Sequence, residues 1–273
     1  MTADEKRSLA RLLDTAGDYL RDGYRRPRAE YTFTDDAFKE NGAFKENGAA
    51  ATPPGMAAPT PLAANSPDGA APDSLFAVAA EVLHCSACPL HSGRQNAVPG
   101  EGVVHPLVLV IGEGPGADED RLGRPFVGKA GQLLDRMLAS VGLSREKNCF
   151  IANMVKCRPP GNRDPLPEEI APCSRFLARQ IRLLKPAIIL CVGKVSAHAL
   201  LKTDASMGSL RGRFTPYEVA DTQETGGFTV PLLATYHPSA ILHDESYKRP
   251  AWEDLKLLKQ RLRELSPDYE AGA

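Results

Sequence analysis

The chain has 273 residues, 42% of them hydrophobic and 25% charged, with a formal net charge of −1 at pH 7. That length allows one large domain or two small ones. The near-neutral balance excludes a global basic field, so any nucleic-acid partner must be met by a local patch, and no uninterrupted apolar run reaches membrane-spanning length.

Residues 2–22 predict an amphipathic helix. Thr2 and Glu5 have capping-box spacing, and Leu9, Leu12, Leu13, Ala16 and Leu20 share one face. The first eight residues are charged and lack an apolar centre, so no secretory signal is read and a cytoplasmic protein is expected. The hexapeptide beginning at Ala37 is repeated from Ala43, too few copies for a solenoid and consistent with duplication in a linker. From Gly48 to Pro72 the chain is mostly Ala, Pro, Gly and Asn, with little to bury, and disorder is expected. Residues 1–72 are therefore read as an extension, and residues 73–273 as the folded domain.

Within that domain a helix is predicted over residues 74–84, then a cysteine-bearing turn. A strand over 107–111, a glycine-rich loop and a helix over 131–141 follow. A second strand (150–153) leads through a Pro-rich loop to a helix over 167–184, and a third strand (187–192) feeds a helix over 195–201. Two antiparallel strands (213–219 and 228–233) precede a last strand ending at Tyr236, and a helix over 251–265 closes the pattern. Alternating strands and helices predict a three-layer α/β/α fold with a mainly parallel central sheet.

The most informative stretch follows the first strand. It carries Gly112, Glu113, Gly114, Pro115 and Gly116, then Asp118, Glu119 and Asp120, then Phe126 between Pro125 and Gly128. Ligands bind at the carboxyl ends of strands in α/β sheets, and glycines there allow close backbone approach. Gly112, Gly114 and Ala117 also satisfy a dinucleotide fingerprint. Yet Pro115 removes an amide that pyrophosphate would use, and the acidic residues would repel phosphate. A neutral planar ligand suits this loop better.

Cys85 and Cys88 are spaced C-x-x-C, and Cys157 and Cys173 lie fifteen residues apart in the sense of intervening chain. Four thiolates suit either tetrahedral zinc or a [4Fe–4S] cluster, and spacing leaves both open. Cys149 and Cys191 sit in apolar strands and read as small core residues.

Five ordered motifs together resemble the family 4 uracil-DNA glycosylases, the iron–sulfur branch of the uracil-DNA glycosylase superfamily. They are the Gly112–Gly116 loop, the segment from Gly123 to Gly131, Asn153 with Lys156, Cys157, Arg158, Pro159 and Pro160, then Leu210, Arg211 and Gly212, and finally His237, Pro238 and Ser239. The match spans roughly residues 75–265. It implies a monofunctional enzyme, acting as a monomer, that excises uracil from single- or double-stranded DNA at the start of base excision repair. It also implies a [4Fe–4S] cluster on Cys85, Cys88, Cys157 and Cys173, with zinc the alternative. His243 stands where the family often carries arginine, and residues 155–164 lack the histidine of a DNA-linking branch, which implies ordinary turnover. Two rival functions remain open from residues alone: a nucleotide- or dinucleotide-dependent α/β enzyme, and a non-catalytic metal-stabilised DNA-binding module. The partner of residues 1–72 is unassigned.

A glycosylase must flip its base into a pocket, stack it, read its edge and stabilise the departing charge. Gly112 and Gly114 would line such a pocket and Phe126 would stack the ring. Asn153 offers the donor and acceptor that match the N3–H and O4 edge of uracil. His237 would donate to uracil O2 as the base leaves. Glu113, with Glu119 as second candidate, would position water or stabilise an oxocarbenium-like sugar. Lys156, Arg158, Arg211 and Ser239 are the expected DNA contacts.

Overall fold

The computed structural model describes residues 73–220 and 226–269. These belong to the second of two units into which the chain divides, Met1–Pro72 and Asp73–Ala273. The expected N-terminal helix, the hexapeptide repeat and the Ala/Pro-rich stretch lie outside the described residues.

Six strands form one sheet: β1 (Glu101–Gly102), β2 (Val108–Gly112), β3 (Cys149–Asn153), β4 (Ile188–Val192), β5 (Phe214–Val219) and β6 (Phe228–Thr235). Their order is β1-β3-β2-β4-β6-β5. The four inner strands run parallel, and β1 and β5 pair antiparallel at the two edges. Every residue of β2, β3 and β4 is buried, which is why each reads as an unbroken apolar run: a parallel sheet is covered on both faces.

The helices are α1 (Leu75–Leu83), α2 (Ala117–Leu122), α3 (Lys129–Ala139), α4 (Pro167–Leu184), α5 (Lys194–Leu201), α6 (Met207–Leu210), α7 (Pro238–His243) and α8 (Lys248–Leu265). Leu177, Ile181 and Leu184 of α4 pack with Leu109, Ile111, Ala152, Ile189 and Cys191 in one core cluster. The alternating Val108, Val110, Ile151 and Leu190 are equally buried and point to the opposite face. There α3 buries Leu133, Leu134, Met137 and Leu138, and α8 buries Trp252, Leu255, Leu258 and Leu262. No helix among the described residues is long and apolar enough to cross a membrane.

One element count needs correcting. The strand expected over 228–233 and the separate last strand ending at Tyr236 are a single strand, β6. The expected division falls after Leu233, whereas the strand runs on to Thr235; Pro231 lies inside it, facing Pro216 across the β5–β6 pair. Two prolines can oppose each other there because a non-hydrogen-bonded pair asks neither for an N–H. The sheet order reverses at β2, whose neighbours are β3 and β4, and at that switch point the carboxyl ends of β2, β3, β4 and β6 deliver Gly112, Asn153, Gly193 and His237 to one place.

Candidate active site

A pocket opens above these strand ends, walled by Glu113, Gly114, Phe126, Asn153, Tyr236 and His237 among others. Gly112 makes the arrangement possible. A Cβ there would lie 2.5 Å from Asn153 Oδ1 and 2.5 Å from Phe126 Cζ, so any side chain would push the aromatic ring and the amide out of place.

Phe126 is held under strain. Its φ is +52°, a left-handed value that costs a non-glycine residue of order 1 kcal/mol or more. Arg145, 7% exposed, stabilises it. The guanidinium donates to Pro125 O and Phe126 O at 2.9 Å each and pairs with Asp135 at 2.7 Å. From α3, Gly131 leaves the space that the Phe126 carbonyl fills, because a Cβ would collide with that oxygen. The loop carrying Phe126 is closed from its other side by Glu119. Oε1 accepts from Val127 N and Gly128 N at 2.8 Å, and Oε2 accepts from Gly116 N at 3.1 Å. Three backbone donors thus occupy a side chain expected to share in the chemistry; it lines the pocket wall while spanning the loop.

Asn153 is 1% exposed, and among the described residues nothing donates to its Oδ1. An unmade hydrogen bond on a buried acceptor costs about 1–3 kcal/mol, so the site is built for an incoming donor. His237 stands across the pocket, its ring centroid 5.7 Å from that of Phe126. Its Nδ1 accepts the Ser239 N–H at 3.1 Å and lies 2.7 Å from Ser239 Oγ. The lone pair on Nδ1 is therefore engaged, and the neutral ring carries its proton on Nε2. Burial pushes His237 down to about 4, against the opposing pull of Glu119. The imidazole is neutral at physiological pH, a donor and not a cation.

Glu113 behaves in the opposite sense. Burial raises it to about 7, Asp164 adds to the rise, and Lys194 opposes it. Lys194 itself pairs with Asp164 at 2.9 Å, with both side chains 59% exposed. Such a pair is worth about 0–1 kcal/mol and is readily exchanged for another partner.

The expected DNA contacts divide. Arg158 is half-buried with its Nε on Asn162 Oδ1 at 2.7 Å, and Ser239 sits at the pocket beside His237. Arg211 is committed elsewhere: it pairs with Asp254 at 2.9 Å, donates to Pro250 O, and lies over the Tyr236 ring. Lys156 points inward, 1% exposed, and its ammonium is taken by Asn153 O and Gln180 Oε1. Motif position marked both residues as basic loop residues but carried no sign of which way the side chains turn. Arg145 and the stacked pair Tyr236–Tyr247, whose centroids lie 4.3 Å apart at the pocket rim, were missed altogether. Arg145 sits in a polar stretch with Glu146 and Lys147 that reads as an ordinary solvated loop.

The four motif cysteines line a second, apolar enclosure with Val82, Pro172 and Phe176. None forms a disulfide. Three of the four sulfurs accept hydrogen bonds: Cys157 from Arg94 Nη1 at 3.0 Å, Cys173 from Lys156 N at 3.3 Å, and Cys85 from Ala87 N at 3.5 Å. Four soft donors in a dry enclosure, with N–H groups aimed at the sulfurs, fit thiolate ligation of a metal group. Among the described residues, no three His, Cys, Asp or Glu side chains converge as a site for a single ion.

Comparison with known proteins follows the same lines. The family model described as the uracil DNA glycosylase superfamily matches residues 99–256. The chain is 42% identical over 195 residues to a type-4 uracil-DNA glycosylase of Saccharolobus solfataricus, covering 70% of this chain and 87% of that one. It is 39% identical over 188 residues to that of Archaeoglobus fulgidus, with 67% and 91% covered. With the type-4 enzyme of Thermotoga maritima it shares 40% identity over 185 residues, again 67% and 91%.

Proposed function

This chain belongs to the uracil DNA glycosylase superfamily and is a uracil-DNA glycosylase, and we propose that the pocket above Gly112 receives the flipped uracil and cleaves its glycosidic bond. The observation that carries the assignment is the buried, unpartnered Oδ1 of Asn153. It faces a pocket whose other polar lining includes a neutral histidine donor, and uracil offers N3–H to the first and O2 to the second. Phe126 supplies the stacking face, and its loop is fixed by Arg145, Gly131 and Glu119, so stacking costs little further ordering.

Chemistry follows from the charge states. As the C1′–N1 bond breaks, its electron pair passes to the base, and the sugar takes on oxocarbenium character. His237 Nε2–H donates to O2 where the negative charge collects. Glu113 in its carboxylate form accepts a proton from the water that adds to C1′, leaving an abasic sugar and the uracil anion, which takes its proton from solvent. Glu119 acts as a positioning residue through the three backbone amides it holds. The rate should therefore rise with pH through about 7, the value of Glu113 in the free protein, because the base form exists only above it. A pH profile of single-turnover excision checks this. Glu113→Gln should abolish that acidic limb, while a limb that persists in the variant would move the role to another group.

Uracil-containing DNA, single- or double-stranded, is the partner, and Arg158, Ser239 and Lys194 are the groups proposed to meet its phosphates. Lys194 would exchange the weak Asp164 pair for phosphate. Cys85, Cys88, Cys157 and Cys173 would hold a [4Fe–4S] cluster whose contribution is structural: it braces the loop after β3 against α1 and α4. Iron and sulfide analysis of anaerobically purified protein should give about four of each per chain; stoichiometric zinc with negligible iron would contradict it. Residues 1–72, outside every motif of the site, are proposed to be dispensable for base excision on naked DNA. The enzyme is proposed to work as a cytoplasmic monomer.

A further inference from the structure

Lys156 is among the largest side chains in the protein to be wholly buried, at 1% exposure. It stands three residues after Asn153 and one before Cys157. Its Nζ donates to the main-chain oxygen of Asn153 at 3.0 Å and to Gln180 Oε1 at 2.7 Å. Its own N–H donates to Cys173 Sγ at 3.3 Å, and its carbonyl accepts from Val98 N at 2.8 Å. Gln180, 2% exposed, is fixed in turn because its Nε2 donates to Pro99 O at 2.8 Å.

Burying an ammonium is expensive, and a methionine would fill the same volume without that cost. What the lysine does that an apolar residue does not is grip one carbonyl, the last of β3. Beyond that carbonyl the chain is still pinned to the glycine loop, by Met154 N on Gly112 O at 3.0 Å and Val155 N on Glu113 O at 3.1 Å. The peptide plane between Asn153 and Met154 is thus held at its N–H by the pocket loop and at its oxygen by Lys156. The Asn153 Cα that carries the base-facing amide is thereby fixed at the end of β3.

We propose that Lys156 is a positioning residue that ties the four-cysteine enclosure to the base-reading edge of Asn153. The proposal rests on the reading that Asn153 meets uracil. The residue whose backbone binds Cys173 sulfur is the residue whose side chain sets the Asn153 peptide, so a displaced cysteine loop misplaces the amide that reads the base.

Lys156→Met tests this, because it removes both Nζ bonds while leaving the main-chain N–H on Cys173. Iron content and visible absorbance report the enclosure; equilibrium binding of free uracil reports the pocket; kcat and KM on a uracil oligonucleotide report the reaction. The variant should keep its iron, bind uracil about tenfold or more weakly and lose kcat to a similar degree, within the range typical of outer-shell changes. KM for DNA should stay near wild type. Gln180→Leu, which touches neither cysteines nor pocket, should shift uracil binding in the same direction by a smaller factor, and it decides the matter if Lys156→Met does not fold. Wild-type uracil affinity in either folded variant overturns the coupling, whether or not iron is lost. Asn153→Ala is measured beside them. If it leaves uracil affinity unchanged, the reading of Asn153 itself is what fails.

Discussion

His237→Ala should lower the single-turnover rate of uracil excision by about two to three orders of magnitude, the usual consequence of removing a preorganised donor to a developing oxyanion. The ring is neutral, with burial holding it near 4, and its Nδ1 is engaged by the Ser239 N–H. Nε2–H is therefore the one group it presents to the pocket. Because it acts as a dipole and not as a cation, His237→Gln should recover part of the rate. DNA affinity should change little in either variant, since phosphate contacts dominate affinity and His237 makes none. Rapid-quench measurement with enzyme in excess checks both, with equilibrium binding to an oligonucleotide in parallel. A near wild-type rate in His237→Ala would remove the residue from the chemistry.

Asn153→Asp should change which base the pocket accepts. The substitution replaces the amide donor by an acceptor in a site where Oδ1 already lacks a partner among the described residues. Uracil O4 would then meet a carboxylate, whereas the cytosine amino group would meet a partner. Sites built around a specific hydrogen bond reject mismatched analogues strongly, so excision of uracil should fall by about a hundredfold or more and the cytosine-to-uracil rate ratio should rise. Paired oligonucleotides differing only in that base measure the ratio. Equal loss on both bases would mean that Asn153 shapes the pocket without reading the edge.

Much of the fold was legible because the strands are buried on both faces. The runs ending at Ile111, Asn153 and Val192 have no polar interruption, and the helix over Pro167–Leu184 opens on proline and carries a clean apolar stripe. Short pieces were not legible. β1 has two residues, and α2, α6 and α7 have four to six, too few for any periodicity to register. β6 was split after Leu233, and only its two partners show one continuous strand, with Phe228–Leu233 paired to β5 and Leu232–Thr235 paired to β4.

The site divides in the same way. Gly112, Phe126, Asn153 and His237 were marked by strand ends and by glycine and proline neighbours; the last three line one pocket, and Gly112 packs against Phe126 and Asn153. Direction of side chains was invisible. Lys156 and Arg158 are two residues apart in one basic motif, yet one is sealed beneath the pocket and the other reaches the surface region. Glu119 looked like a helix N-terminal charge or a catalytic acid; its bond from Gly116 N is a local capping contact, but those from Val127 N and Gly128 N, eight and nine residues on, only the fold supplies. The same holds for Arg145, which stabilises the Phe126 loop from nineteen residues away.

The most direct test of the pocket assignment is a crystal structure of the protein with free uracil. The ring should lie on Phe126, with N3–H within hydrogen-bonding distance of Asn153 Oδ1 and O2 within the same distance of His237 Nε2. Uracil bound elsewhere, or bound here with Asn153 Oδ1 still without a donor, would contradict the account.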